Sequence, residues 1–143
     1  MVAKIAMTVR VVLDTNVIVS ALIHGKRTGR IVSLWKNGRI QLLVSRDILK
    51  EYYRVFSYPK FQLTEADIRY LVEDGFLAYA ETVAVSHVEA VVGLDPSDDK
   101  FLACAHYGKA HYLVSGDAHL LGLKEYRHIP IISIGDFLGK IPH

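Results

Sequence analysis

The chain carries a single cysteine, Cys104, in 143 residues. No disulfide can form within it, which excludes the stapled small secreted domains and fits a reducing cytoplasmic compartment. Cys104 lies in the apolar run FLACA, where a small core residue is the plain reading. No apolar run approaches the roughly 20 residues that a membrane helix needs. The N-terminal stretch carries Lys4 and Arg10 and reaches Asp14 before a signal-peptide core of adequate length forms. Met7 is an alternative start. Net charge is also scarce: Lys and Arg exceed Asp and Glu by only two. The overall charge therefore announces no nucleic-acid partner, although a locally basic face remains open. Repeats, low-complexity tracts and linkers are absent. The seven histidines show no metal-site spacing, and no Ser–His or Cys–His nucleophilic pair stands out.

What remains is an apolar chain, 51% hydrophobic, long enough for one domain with a real core. We read it as a single domain over residues 1–143, with the core from about 9 to 138. Val9 to Leu13 is a continuous, mostly β-branched run, the mark of a strand buried on both faces. Asp14-Thr15-Asn16 breaks it and opens a short helix over Val17 to Ile23. Gly25 to Gly29 reads as a loop. Ile31, Leu34 and Trp35 follow at helical spacing, with Gly38 where a helix ends.

Gln41 to Val44 is a second strand, and Ser45 caps a helix with Ile48, Leu49, Tyr52, Val55 and Phe56 on one side. Tyr58-Pro59 stops it. Thr64 to Asp67 resembles a capping box for a helix through about Ala80. Glu81 to Val85 is a weaker strand. Leu94 to Ser97 is a turn, Ser97 caps a helix over Asp98 to Tyr107, and Gly108 ends it. Tyr112 to Ser115 is a strand followed by the Gly116-Asp117 turn. Ile131 to Ile134 is the last strand, and Asp136 to Leu138 begins a brief terminal helix. Alternating strands and helices predict an α/β layered fold with a mostly parallel sheet.

Four acids then stand out: Asp14 in VVLDTNV, Glu51 in SRDILKEYY, Asp99 in DPSDDKFLACA and Asp117 in YLVSGDAHLL. In parallel sheets ligands bind beyond the carboxyl ends of the strands. Asp14 and Asp117 occupy such ends, Glu51 is about two turns into its helix, and Asp99 is in a first turn. All four can face one crevice. Carboxylates gathered there repel one another and raise each other's pKa. A Mg²⁺ or Mn²⁺ ion reverses that penalty and reaches substrate phosphates. The chemistry implied is metal-assisted phosphodiester hydrolysis. Taken singly, each acid has a plainer reading: a cap for Asp14, a solvated helix residue for Glu51, helix-dipole acids for Asp98 and Asp99, and a turn for Asp117. The set carries the argument.

VVLDTNV, a glutamate in the helix after the second strand, DDKFLACA and YLVSGDAHLL together resemble the PIN-domain ribonucleases. Within them the chain looks closest to the VapC-like toxins of toxin–antitoxin pairs. The resemblance runs from Val9 to about Leu138. It implies a three-layer α/β/α sandwich around a parallel sheet, in agreement with the reading above. It also implies that Asp14, Glu51, Asp99 and Asp117 bind the metal. Asn16 would support the site through its amide, and Thr15 reads as a local cap. Ser115 stands where many members have threonine and would hold a carboxylate or water through its hydroxyl. The Asp98-Asp99 doublet leaves a one-residue ambiguity. Asp99 sits at the family's spacing before Leu102-Ala103, and Asp98 then supports the site or is exposed. A cognate antitoxin, a homodimer and an RNA substrate are further implications.

Lys26, Arg27 and Arg30 are candidate contacts to RNA phosphates, as are Arg46, Lys50 and Arg54; a solvated surface is the alternative. Asp95 reads as a turn former. His106 and His111 read as surface or cap residues, and His119 is near enough to Asp117 to approach substrate. The stretch Tyr52, Tyr53, Phe56, Tyr58 and Phe61 reads mostly as core, with an apolar groove for a partner helix as the alternative. Two other functional readings stay open. One is a PIN-like module that binds RNA or protein without turnover. The other is a haloacid-dehalogenase-like phosphatase, against which stands Asn16 where that motif has an acid.

Overall fold

The computed structural model describes residues 8–24, 29–91 and 93–141. Met7, Lys26 and Arg27 lie outside them. The first strand, β1 (Val9–Leu13), sits inside a six-stranded sheet of order β3-β2-β1-β4-β6-β5. It runs parallel to β2 (Ile40–Val44) on one side and to β4 (Tyr112–Val114) on the other. Further out, β3 (Ala80–Thr82) is parallel to β2, and β6 (Ile129–Ile132) is parallel to β4. Among the described strands only β5 (Glu125–Tyr126) is antiparallel, in a hairpin with β6.

Successive side chains on a strand point to opposite faces. Val11, Val12 and Leu13 are all buried, as are Leu42, Leu43 and Val44. Both faces of the sheet centre are therefore covered, which is why these strands read as unbroken apolar runs. The covering helices are α1 (Thr15–Val19, extended by a wider π turn over Ser20–His24), α2 (Gly29–Lys36), α3 (Arg46–Phe56), α4 (Glu65–Arg69, extended by a π turn over Tyr70–Asp74), α5 (Asp99–Tyr107), α6 (Ala118–Leu123) and α7 (Ile134–Lys140). The result is the expected three-layer α/β/α sandwich. From β1 the chain moves to β2, and from β4 it moves the opposite way to β6. The carboxyl ends of β1 and β4 thus flank the point where strand order reverses, where such sheets open a crevice.

Several elements differ from expectation for local reasons. The helix through Ala80 stops at Asp74. At Gly75 a Cβ would lie 2.6 Å from the Leu71 carbonyl oxygen. The Gly75 carbonyl instead accepts a 3.0 Å bond from Trp35 Nε1. Phe76 then turns into the core, edge-on to both Trp35 and Tyr52. The weak strand shortens to β3. Ser97 does not cap α5: Asp95 accepts from the Ser97 amide and hydroxyl, each at 2.9 Å, and starts a 3₁₀ turn over Pro96–Asp98. That turn delays α5 to Asp99.

After the Gly116-Asp117 turn comes α6, for which no element is expected from the sequence, and Asp117 caps it by accepting from the amides of His119 (2.8 Å) and Leu120 (3.1 Å). The last strand starts earlier, at Ile129, because Arg127 and His128 take positive φ and close a hairpin there.

Tyr52 ties α3 to the sheet directly under the crevice. It is fully buried, and its hydroxyl donates to the Leu13 carbonyl at 2.5 Å. Tyr52→Phe strips that bond and leaves the carbonyl bare. The expected loss is about 1–2 kcal/mol, read as a lower urea midpoint at unchanged slope.

Candidate active site

Asp14 is placed by backbone bonds on both sides. Its amide donates to the Val114 carbonyl at 2.9 Å, which holds it in line with the sheet. Its carbonyl accepts from Val17 and Ile18 and so starts α1. The side chain makes no cap bond. It accepts instead from the Ser115 hydroxyl at 2.7 Å, and the same hydroxyl oxygen accepts from the Asp117 amide at 2.9 Å. One fully buried hydroxyl therefore joins the ends of β1 and β4 and sets two acids beside each other.

Glu51 arrives from α3. Its Oε2 accepts from the Thr15 hydroxyl, so Thr15 is a partner of Glu51 and not a local cap. Its Oε1 meets Lys100 Nζ at 2.8 Å and Arg54 at 3.5 Å. Lys100 also donates to the Ser97 carbonyl at 2.6 Å. Nothing local in the sequence singles out Lys100. Its only signal was a lysine directly after an acidic doublet, and the pairing with Glu51 spans too much chain for any local pattern to show.

A cavity of about 300 Å³ opens at this point, lined by Asp14, Asn16, Glu51, Asp98 and Asp117. Arg54, Tyr58, Lys60 and Phe61 line it as well. Lys60, which is stacked 5.1 Å from the Phe61 ring, was not anticipated. Asn16 has its side chain exposed at the cavity. Arg30 is not among the lining residues and donates to the Ile141 carbonyl at 2.9 Å. His119 lies 3.6 Å from Asp117 and is mostly exposed. Cys104 is buried, and that burial pushes its thiol up to about 12, so it is an inert core residue as expected.

The doublet divides its two acids. Asp98 lines the cavity; Asp99 does not. Asp99 is buried at the start of α5, and its Oδ1 has no hydrogen-bond partner among the described residues. The Asp98 carboxyl is pushed up to about 6, first by burial and then by Asp117, Asp14, Asp95 and Glu51. Asp14 is also raised, first by burial; the Ser115 and Thr15 hydrogen bonds pull it down, while Asp117 and Glu51 push it up. The acids therefore share one electrostatic field, and the chain folds against their mutual repulsion.

Among the described residues no three His, Cys, Asp or Glu side chains form a ready-made metal cage. The donor set is nonetheless all oxygen. Magnesium keeps several waters and needs only one or two carboxylates. The mutually repelling carboxylates that line the cavity fit such an ion.

The model of the PIN domain family matches residues 10–119. The chain belongs to the PIN domain family. This membership displaces the phosphatase reading. The chain is similar in fold to a chain in the crystal structure of VapBC2 from Rickettsia felis bound to a DNA fragment from their promoter. The TM-score is 0.60 at 16% identity, covering 87% of this chain and 98% of that one. It is also similar to the PIN domain endonuclease Utp24, with TM-score 0.56 at 16% identity, covering 87% of this chain and 84% of that one. No curated protein matches the chain significantly. Among the described residues no helix is long and apolar enough to cross a membrane.

Asp98 gives this PIN domain a test of its acidic field. A carboxyl raised in the fold destabilises the folded state when ionised. That cost is absent below the unfolded value near 3.8, grows as pH rises, and is complete above about 6. Asp98→Asn removes it. Discounted for solvent exposure, the metal-free variant gains about 1 kcal/mol above pH 6 and nothing below pH 4. Thermal melts across that range in EDTA check the prediction; a gain that persists at pH 4 argues against charge relief.

Proposed function

We propose that this PIN domain is a divalent-metal-dependent endoribonuclease, the toxin of a toxin–antitoxin pair. The observation that carries the reading is the convergence of Asp14, Glu51, Asp98 and Asp117 on one cavity at the carboxyl ends of β1 and β4. Asp14, Asp117 and the Asp98-Asp99 doublet would hold Mg²⁺ or Mn²⁺, with Glu51 beside them. Asp98 faces the cavity, and Asp99 offers the bare oxygen.

When bound, a divalent ion supplies charge neutralisation and the acidity that lets water attack phosphorus. The chain's own residues do the rest. Ser115 orients Asp14 and the Asp117 amide. Arg54 and Lys60, which line the cavity, would meet RNA phosphates. Asn16 orients water at the rim. The scheme needs no nucleophilic side chain, in keeping with the inert thiol at Cys104.

The similarity to a chain of a VapBC2 assembly supports an antitoxin as partner, and we take the protein to be a cytoplasmic homodimer. The test is cleavage of a mixed RNA pool by purified protein in Mg²⁺ or Mn²⁺ and in EDTA. Cleavage restricted to the metal lanes is the expected result. A folded protein that is silent in every lane overturns the nuclease and favours the second reading, a PIN module that binds without turnover. The observation in favour of that alternative is that no ready-made metal cage forms among the described residues.

A further inference from the structure

Both carboxylate oxygens of Glu51 are taken by side chains of other helices. Thr15 of α1 donates to Oε2, and Lys100 of α5 meets Oε1 at 2.8 Å. Asp98, by contrast, lines the cavity with no hydrogen bond to either carboxylate oxygen among the described residues, and Asp99 keeps a bare Oδ1. The Lys100–Glu51 pair is largely shielded from water, with side-chain exposures of 17% and 13%. Lys100 is anchored a second time, by the Ser97 carbonyl at 2.6 Å. Arg54 also approaches Glu51, but at 3.5 Å and with its side chain 63% exposed, so it is the weaker partner. Thr15, Glu51 and Lys100 thus connect α1, α3 and α5, with Thr15 and Glu51 lining the cavity.

We propose that Glu51 is a positioning residue and not a metal ligand, and that Lys100 is the resident counter-ion that keeps it so. The inference rests on the metal site proposed above and deepens it. Thr15 and Lys100 hold the glutamate in place, and Lys100 cancels one negative charge beside Asp14 and Asp98. The metal is left to the aspartates. Removing the lysine alone leaves a shielded carboxylate without its partner among like charges. That carboxylate then becomes free to join the metal.

The experiment is a double-mutant cycle of Lys100→Met and Glu51→Gln, with Mn²⁺ binding followed by calorimetry and unfolding followed by urea in EDTA. In EDTA each single variant should unfold at lower urea, and the double variant at a midpoint higher than additivity requires. Glu51→Gln should bind Mn²⁺ within about threefold of the unaltered chain, whereas Lys100→Met should bind it about tenfold more tightly. A merely structural lysine would not tighten metal binding. Additive destabilisation, unchanged Mn²⁺ affinity in Lys100→Met, or loss of Mn²⁺ in Glu51→Gln as complete as in Asp14→Asn overturns the proposal. If the unaltered chain binds no Mn²⁺, the metal reading itself fails, and the EDTA cycle alone upholds or overturns the clasp.

Discussion

Asp14→Asn should lower metal-dependent RNA cleavage by at least about 100-fold while the fold survives. The magnitude follows from what the residue does. Asp14 is the acid fixed at the carboxyl end of the central strand, and its orientation is set by a buried hydroxyl 2.7 Å away. Losing a ligand costs at least as much as losing the groups that orient one, for which 10–100-fold is typical. Survival of the fold follows from the same geometry. The Asp14 backbone, not its side chain, bonds to Val114, Val17 and Ile18. An amide oxygen can still accept from Ser115. Burial raises the Asp14 carboxyl, and Asp117 and Glu51 add to the rise, so a neutral amide relieves repulsion at neutral pH. The metal-free variant should therefore melt no lower than the unaltered chain. Retained cleavage sinks the site assignment, and a lower melting midpoint in EDTA sinks the repulsion argument.

Long apolar periodicity made the sheet legible. Val11 to Leu13 and Leu42 to Val44 are buried on both faces, and such runs can be little else. The positions of Asp14 and Asp117 followed from those strands, because an acid directly after a buried strand must lie at its carboxyl end. Local competition hid the rest. Asp95 accepts twice from Ser97 and opens a 3₁₀ turn, which takes Ser97 away from the start of α5. Gly75 ended α4 early because Trp35, 40 residues away, takes its carbonyl. The same limit applied to the site: Thr15 reads locally as a cap, nothing local singles out Lys100, and only the fold brings both to Glu51. The doublet was ambiguous because adjacent helical residues differ by about 100° in direction. The 3₁₀ turn before α5 decides which one meets the cavity.

Ser115→Ala should disable the site while leaving every acid in place. The hydroxyl is fully buried and works twice, donating to Asp14 Oδ2 and accepting from the Asp117 amide. Alanine leaves a buried carboxylate oxygen and a backbone amide without partners. The stability loss is about 1–3 kcal/mol. One pull holding the Asp14 carboxyl down also disappears, so Asp14 ionises less readily and grips a cation less firmly. RNA cleavage should fall about 10–100-fold, the range for losing a group that orients a metal ligand. Threonine keeps the hydroxyl and adds one methyl to a site with little spare room, so Ser115→Thr should retain most activity at a small cost in stability. The contrast between the two variants is the measurement. Equal losses would mean that packing at the end of β4 matters and the hydroxyl does not. A loss confined to Ser115→Ala, made up in part by raising Mn²⁺, would place the serine in the orientation of Asp14.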